Sequence, residues 1–214
     1  MRKNLAVLSG LICAVLLLIG CGGGGSDGSP VSPGVWTPTD TSTFSPFVPD
    51  SGSVYYSVPL ADQNLDPNGE SACAPTSLAM AIAYYRGGDP QAMVGRLFVE
   101  AGTNPAFGAT DAGVASAAWT EGFTEARVYK TTAPLIEGVS SLVLDAAWLH
   151  AQLTAGHLVI AHVAQHAVLA VGFEPDGDII YADPNGGEVT RKTWADFDAW
   201  WRYSGSTRSA ITIQ

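Results

Sequence analysis

From residue 54 to the end of the chain, short apolar runs alternate with clusters of Gly, Pro, Asn and Asp, and the period of the apolar positions changes along the way. Val54 to Pro59 reads as a strand, with Tyr55 and Tyr56 beside Val58 and a proline to close it. A polar loop follows through Gly69. Helical spacing then predicts a helix over Cys73 to Arg86: Leu78, Ile82 and Tyr85 fall on one face, Pro75 is tolerated in the first turn, and Gly87-Gly88 ends it. Further helices are expected over Gln91 to Ala101, over Asp111 to Glu121 with Thr110 or Asp111 as cap and Gly122 as stop, and over Asp145 to Ala155, where Leu149 and Leu153 lie one turn apart. After Gly156 the period shortens. Leu158-Val159-Ile160, His166 to Phe173 and Asp178 to Ala182 read as strands, the last ending in the turn cluster Asp183 to Gly187. A helix over Thr193 to Trp201 and a strand over Ala210 to Ile213 close the chain. Helices first and an antiparallel sheet second is the α+β pattern.

Upstream of this domain the composition is different. Arg2 and Lys3 precede an apolar stretch from Leu5 to Ile19, and Gly20 stands before Cys21, which reads as a secretory signal too short for a comfortable membrane span. Leu18-Ile19-Gly20-Cys21 resembles the lipobox of bacterial lipoproteins, whose cysteine becomes the lipidated first residue after cleavage. Gly22 to Pro30 and the Pro-, Ser- and Thr-rich stretch that follows cannot bury enough apolar surface to fold, and so form a tether. The expected organisation is a signal over 1–20, a tether over 21–52 and one domain over 53–214, long enough to bury a core. Gly22 follows the lipidation site where an inner-membrane lipoprotein of many Gram-negative bacteria has aspartate. The expected location is therefore the cell envelope, lipid-anchored at Cys21 in the outer membrane, facing periplasm or exterior.

The formal net charge is −10, and loss of Arg2 and Lys3 with the signal takes it to −12, which argues against a nucleic-acid partner. Of three cysteines, Cys13 leaves with the signal and Cys21 goes to lipid, so the mature domain keeps one thiol, Cys73. A lone thiol in an exported protein is either buried and inert or kept for its reactivity. Cys73 opens its helix, where unpaired backbone N–H groups and the helix dipole favour thiolate. An imidazolium beside it would add to this and protonate a leaving group. Among the four histidines, His150 falls inside a helix, His157 in a turn, and His162 at a strand end where a hydrogen-bonded structural role is ordinary. His166 opens a valine-rich strand that a buried sheet would hold rigidly. If that strand and the next form a hairpin through Glu174 to Gly177, Asp183 returns beside His166, as an orienting acceptor for the imidazole must.

Cys73-Ala74-Pro75-Thr76-Ser77-Leu78-Ala79-Met80 is similar to the nucleophile motif of the C39-like cysteine peptidases, a family with a papain-like fold. His166-Ala167-Val168 and Asp183-Pro184 resemble its later motifs, in the same order. The resemblance implies catalytic Cys73, His166 and Asp183, and an oxyanion hole to which Gln63, in Val58-Pro59-Leu60-Ala61-Asp62-Gln63, contributes with the backbone N–H of Cys73. Two departures stand out: Ala74 replaces a usual glycine, and the interval from Gln63 to Cys73 is long, so Asn64 and Asn68 in the same loop are alternative donors. The implied chemistry is hydrolysis of a peptide or isopeptide bond in a peptide or protein substrate through a thioester, without cofactor or metal. Two other readings are a catalytically inert lipid-anchored binding module and, on His157, His162, His166 and Asp183, a zinc-binding domain.

Overall fold

The structure, a computed structural model, describes residues 47–131, 142–202 and 208–214. The expected signal, Cys21 and the tether up to residue 46 lie outside the described residues. The elements are, in chain order, β1 (Val54–Tyr55), α1 (Cys73–Arg86), α2 (Pro90–Glu100), α3 (Asp111–Thr120), β2 (Arg127–Lys130), α4 (Ala146–Thr154), β3 (Leu158–Val163), β4 (His166–Phe173), β5 (Ile179–Asp183), β6 (Glu188–Lys192), α5 (Trp194–Trp201) and β7 (Ser209–Ile213). Short 3₁₀ turns cover Gln63–Leu65 and Gly69–Ser71. The class is α+β.

Six strands form one antiparallel sheet in the order β2-β7-β3-β4-β5-β6, and β1 pairs with the far end of β4. Helices cover both faces. Leu158, Ile160, Leu169 and Val171 share a core with Leu78, Leu97 and Val114 of α1, α2 and α3. Val159, Ala161, Val168 and Ala170 pack on the other face with Leu149, Leu153, Phe197 and Trp201 of α4 and α5. Burial on both faces is why the central strands read as near-continuous apolar runs. Local signals set the helix bounds: Asp145 and Thr193 cap α4 and α5 by accepting from Trp148 and Asp196 N–H, and Gly87, with φ of 77°, ends α1.

The two strands that the sequence pattern does not predict are the two sheet edges. β2 (Arg-Val-Tyr-Lys) and β6 (Glu-Val-Thr-Arg-Lys) carry the charged residues that keep an edge from pairing with another chain, and this masks their apolar alternation. Residues 47–52, assigned to the tether, lie against the domain: Phe47 packs on Tyr55 with ring centroids 5.4 Å apart, and Asp50 N–H donates to the buried carboxylate of Glu174 at 3.1 Å.

Because the sheet is antiparallel, the end of β3, the start of β4 and the end of β5 gather at one margin. The N-terminus of α1 reaches that margin, and the Ser77 hydroxyl donates to the Ala167 carbonyl at 3.3 Å, tying the helix to the start of β4.

Candidate active site

Cys73 is the first residue of α1, half-buried and a free thiol. No side chain caps this helix: Ala72 occupies the N-cap, and its own N–H is already bonded to the Gly69 carbonyl at 3.2 Å. Pro75 has no N–H to offer. Of the four donors that a helix start leaves unpaired, those of Cys73 and Ala74 therefore remain for a ligand or water.

The face on which Asp183 lies is decided by one extra residue. Phe173 pairs with Ile179 and Gly172 with Ile180, a register that would continue to Leu169 opposite Asp183. A bulge between Ala170 and Gly172 shifts it, so that Leu169 pairs with Ala182 and Asp183 falls opposite Val168. Opposed residues share a face and a one-residue slip reverses it. The bulge thus turns Asp183 to the side of Val168 and His166, as diagonal neighbour to His166.

The result is a hydrogen bond of 2.7 Å between His166 Nε2 and Asp183 Oδ1, both side chains being less than one-fifth exposed. Asp183 Oδ1 also accepts from Asn185 N–H at 2.9 Å. Trp200 of α5 stands beside the imidazole at 6.1 Å between centroids, and packs on Tyr181. With Nε2 committed to Asp183, Nδ1 is the nitrogen left for Cys73, which lines the same cavity as His166. Burial alone would lower the imidazole pKa. Hydrogen bonds to Asp183 and Cys73, and the charges of both, outweigh burial and raise it to about 9.

The other sequence candidates go elsewhere. Gln63 is buried, its backbone N–H bonded to the Pro184 carbonyl at 2.8 Å and its Nε2 donating to the Gly69 carbonyl at 2.7 Å, with Oε1 buried and unpartnered. Asn64 and Asn68 are exposed, and bond to Asp62, Asn185 and Asp66. The zinc set is not assembled: His157 Nδ1 pairs with Gln152, His162 with Asp111 and His166 with Asp183, and among the described residues no three metal-binding side chains stand together. His150 stacks on Phe173 at 4.1 Å, and burial lowers its pKa.

A cavity of about 470 Å³ opens beside Cys73 and His166, walled by Glu70, Ser71 and Ala74, by residues 106–109, and by His162, Val163 and Gln165. Loop 106–109 and Gln165 carry no sequence motif. Gln165, at the tip of the β3–β4 turn, is a non-glycine residue with φ of 51°, a left-handed conformation that costs side-chain-bearing residues energy and clusters at functional sites.

Among known proteins, the sequence model of the Peptidase_C39 like family matches residues 55–209. Of the solved structures, the crystal structure of the Pseudomonas avirulence protein AvrPphB is similar at a TM-score of 0.33 and 14% identity, over 74% of this chain and 97% of that one. No curated protein matches the chain.

Proposed function

Since the chain belongs to the Peptidase_C39 like family, a family of peptidase-type enzymes, we propose that it hydrolyses a peptide or isopeptide bond with Cys73 as nucleophile, His166 as acid and base, and Asp183 as the group that orients His166. The observation that carries this reading is that His166, bonded to the Asp183 carboxylate through 2.7 Å, lines the same cavity as Cys73 at the start of α1.

In the reactive state the thiolate faces the protonated imidazole. The sulfur attacks the carbonyl carbon, a C–S bond forms, and the carbonyl electron pair moves to oxygen. The N–H groups of Cys73 and Ala74 at the uncapped helix start are suited to receive that oxyanion, and Gln63, one of whose amide N–H groups is held by Gly69, is the side-chain candidate that the family resemblance supplies. As the oxyanion collapses the C–N bond breaks, and the leaving nitrogen takes the proton from His166 Nδ1. Water then adds to the thioester carbon while giving a proton to Nδ1, the C–S bond breaks, and thiolate and imidazolium are restored. Asp183 accepts from Nε2–H throughout and fixes which nitrogen faces the sulfur.

The test is alkylation by iodoacetamide at mildly acidic pH. The expected outcome is labelling of the wild-type domain at Cys73 much faster than a free thiol at the same pH, absent in Cys73→Ala and slowed in His166→Ala. Labelling no faster than a free thiol would favour the inert binding module instead.

A further inference from the structure

Phe107 is 88% exposed, more than the other large apolar side chains of the described residues, yet it does not sit on a loose loop. Residues 104–108 form a tight turn: Asn104 N–H donates to the Gly108 carbonyl at 3.0 Å, Gly108 N–H returns to the Asn104 carbonyl at 2.8 Å, and Ala106 N–H reaches Asn104 Oδ1 at 2.8 Å. The Ser71 hydroxyl donates to the Pro105 carbonyl and fastens the turn to the segment that leads into Cys73. A rigid mount that holds an aromatic ring in water contributes nothing to the core. Phe107 is one of the residues that wall the cavity beside Cys73, with Ala106, Ala109 and Val163.

His162 faces the same cavity from the end of β3. Its Nδ1 is bound to Asp111 Oδ1, and Asp111, itself nine-tenths buried in the first turn of α3, is bridged to Lys130 at 3.1 Å. The ring orientation is therefore fixed. When Nδ1–H donates to Asp111, the other ring nitrogen, Nε2, is free to accept a hydrogen bond.

We infer that Phe107 and His162 form a substrate subsite which takes one residue with an apolar side chain, the side chain lying against Phe107 and the residue's backbone N–H donating to His162 Nε2. This rests on the assignment of Cys73 as nucleophile. A fixed acceptor recognises the peptide backbone, and the exposed ring selects the side chain. In this arrangement His162 is a positioning residue, distinct from His166.

The probes are peptidyl acyloxymethyl ketones that alkylate Cys73 irreversibly and differ only by Leu or Glu at each of the two residues nearest the warhead, with a third set N-methylated at the amide of that residue. At one of the two positions the Leu probe should inactivate the wild-type domain at least about tenfold faster than the Glu probe, the discrimination an apolar pocket supplies. Phe107→Ala should reduce that ratio to below about threefold. N-methylation should slow the wild type about tenfold and leave His162→Leu, already slow with the parent probe, nearly unchanged, because the bond it removes is the one the variant lacks. Iodoacetamide, too small to use the subsite, should label Phe107→Ala and His162→Leu at the wild-type rate. Equal rates for Leu and Glu probes at both positions, or a ratio that survives Phe107→Ala, overturn the subsite while fast iodoacetamide labelling leaves the nucleophile standing. A wild type that labels no faster than a free thiol overturns the nucleophile, and the subsite with it.

Discussion

The His166 imidazolium is held to about pH 9, against an ordinary value of 6.5, although burial works against it. Under the proposed mechanism the leaving group needs that proton, so the alkaline limb of hydrolysis or of peptidyl-ketone inactivation should fall at about pH 9. Asp183→Asn removes a charge and the acceptor that fixes the tautomer, and should move the limb toward neutrality with a large loss of rate. A limb that stays in place in Asp183→Asn would separate the two residues functionally. The same shift has a stability consequence. A histidine whose folded pKa is raised stabilises the fold fully below its unfolded value, and the contribution is lost as pH rises through the folded one. Thermal unfolding of the wild type relative to His166→Gln should accordingly show an advantage at pH 6 that declines between about 6.5 and 9. The histidine and the aspartate are legible as candidates from sequence because a strand start and a turn cluster are local signals. Their proximity follows from the hairpin through Glu174 to Gly177, but the face that Asp183 takes does not, since it depends on a bulge between Ala170 and Gly172.

At the level of elements, β4 is the pivot: β1, β3 and β5 all pair with it, and its first residue is His166. Gly172 lies where β1 crosses closely. A Cβ there would stand 2.2 Å from the Val54 carbonyl oxygen and 2.9 Å from Tyr55 Cα, both backbone atoms that cannot swing aside. Gly172→Ala should therefore displace β1 and destabilise the domain by about 1–3 kcal/mol, the usual cost of overpacking, read as a lower denaturant midpoint. An unchanged midpoint would mean that β1 is not docked as described. The same crowding explains a glycine in a strand interior, where it otherwise weakens the pleat. Strand β4 is visible in the sequence as a valine-rich run; the edge strands β2 and β6 are not, because their pairing partners are distant in sequence and their outer positions are charged.

For the molecule as a whole, we propose a catalytic domain carried on a lipid anchor at Cys21, with the tether ending where Phe47 and Asp50 contact the domain. Cys21→Ser should leave the protein unprocessed or release it from the membrane fraction, while purified domain keeps its iodoacetamide reactivity; a mature, membrane-bound Cys21→Ser product would refute the anchor. Among the described residues no helix is long and apolar enough to cross a membrane. Sequence alone determined what local chemistry controls: the helix from Cys73 to Arg86 through its spacing and Gly87-Gly88, the strand from His166 to Phe173 through its apolar run, the α+β class, and a single thiol in the folded domain. Only the tertiary structure decided what depends on distant neighbours. A bulge chose the face of Asp183, Asp111 claimed His162, the Gly69 carbonyl took one N–H of Gln63, and a hydrogen-bonded turn carried Phe107 to the cavity. Some are contacts between segments far apart in sequence or a choice between faces of a sheet, others are bonds within a loop, and residue periodicity encodes burial without naming the partner.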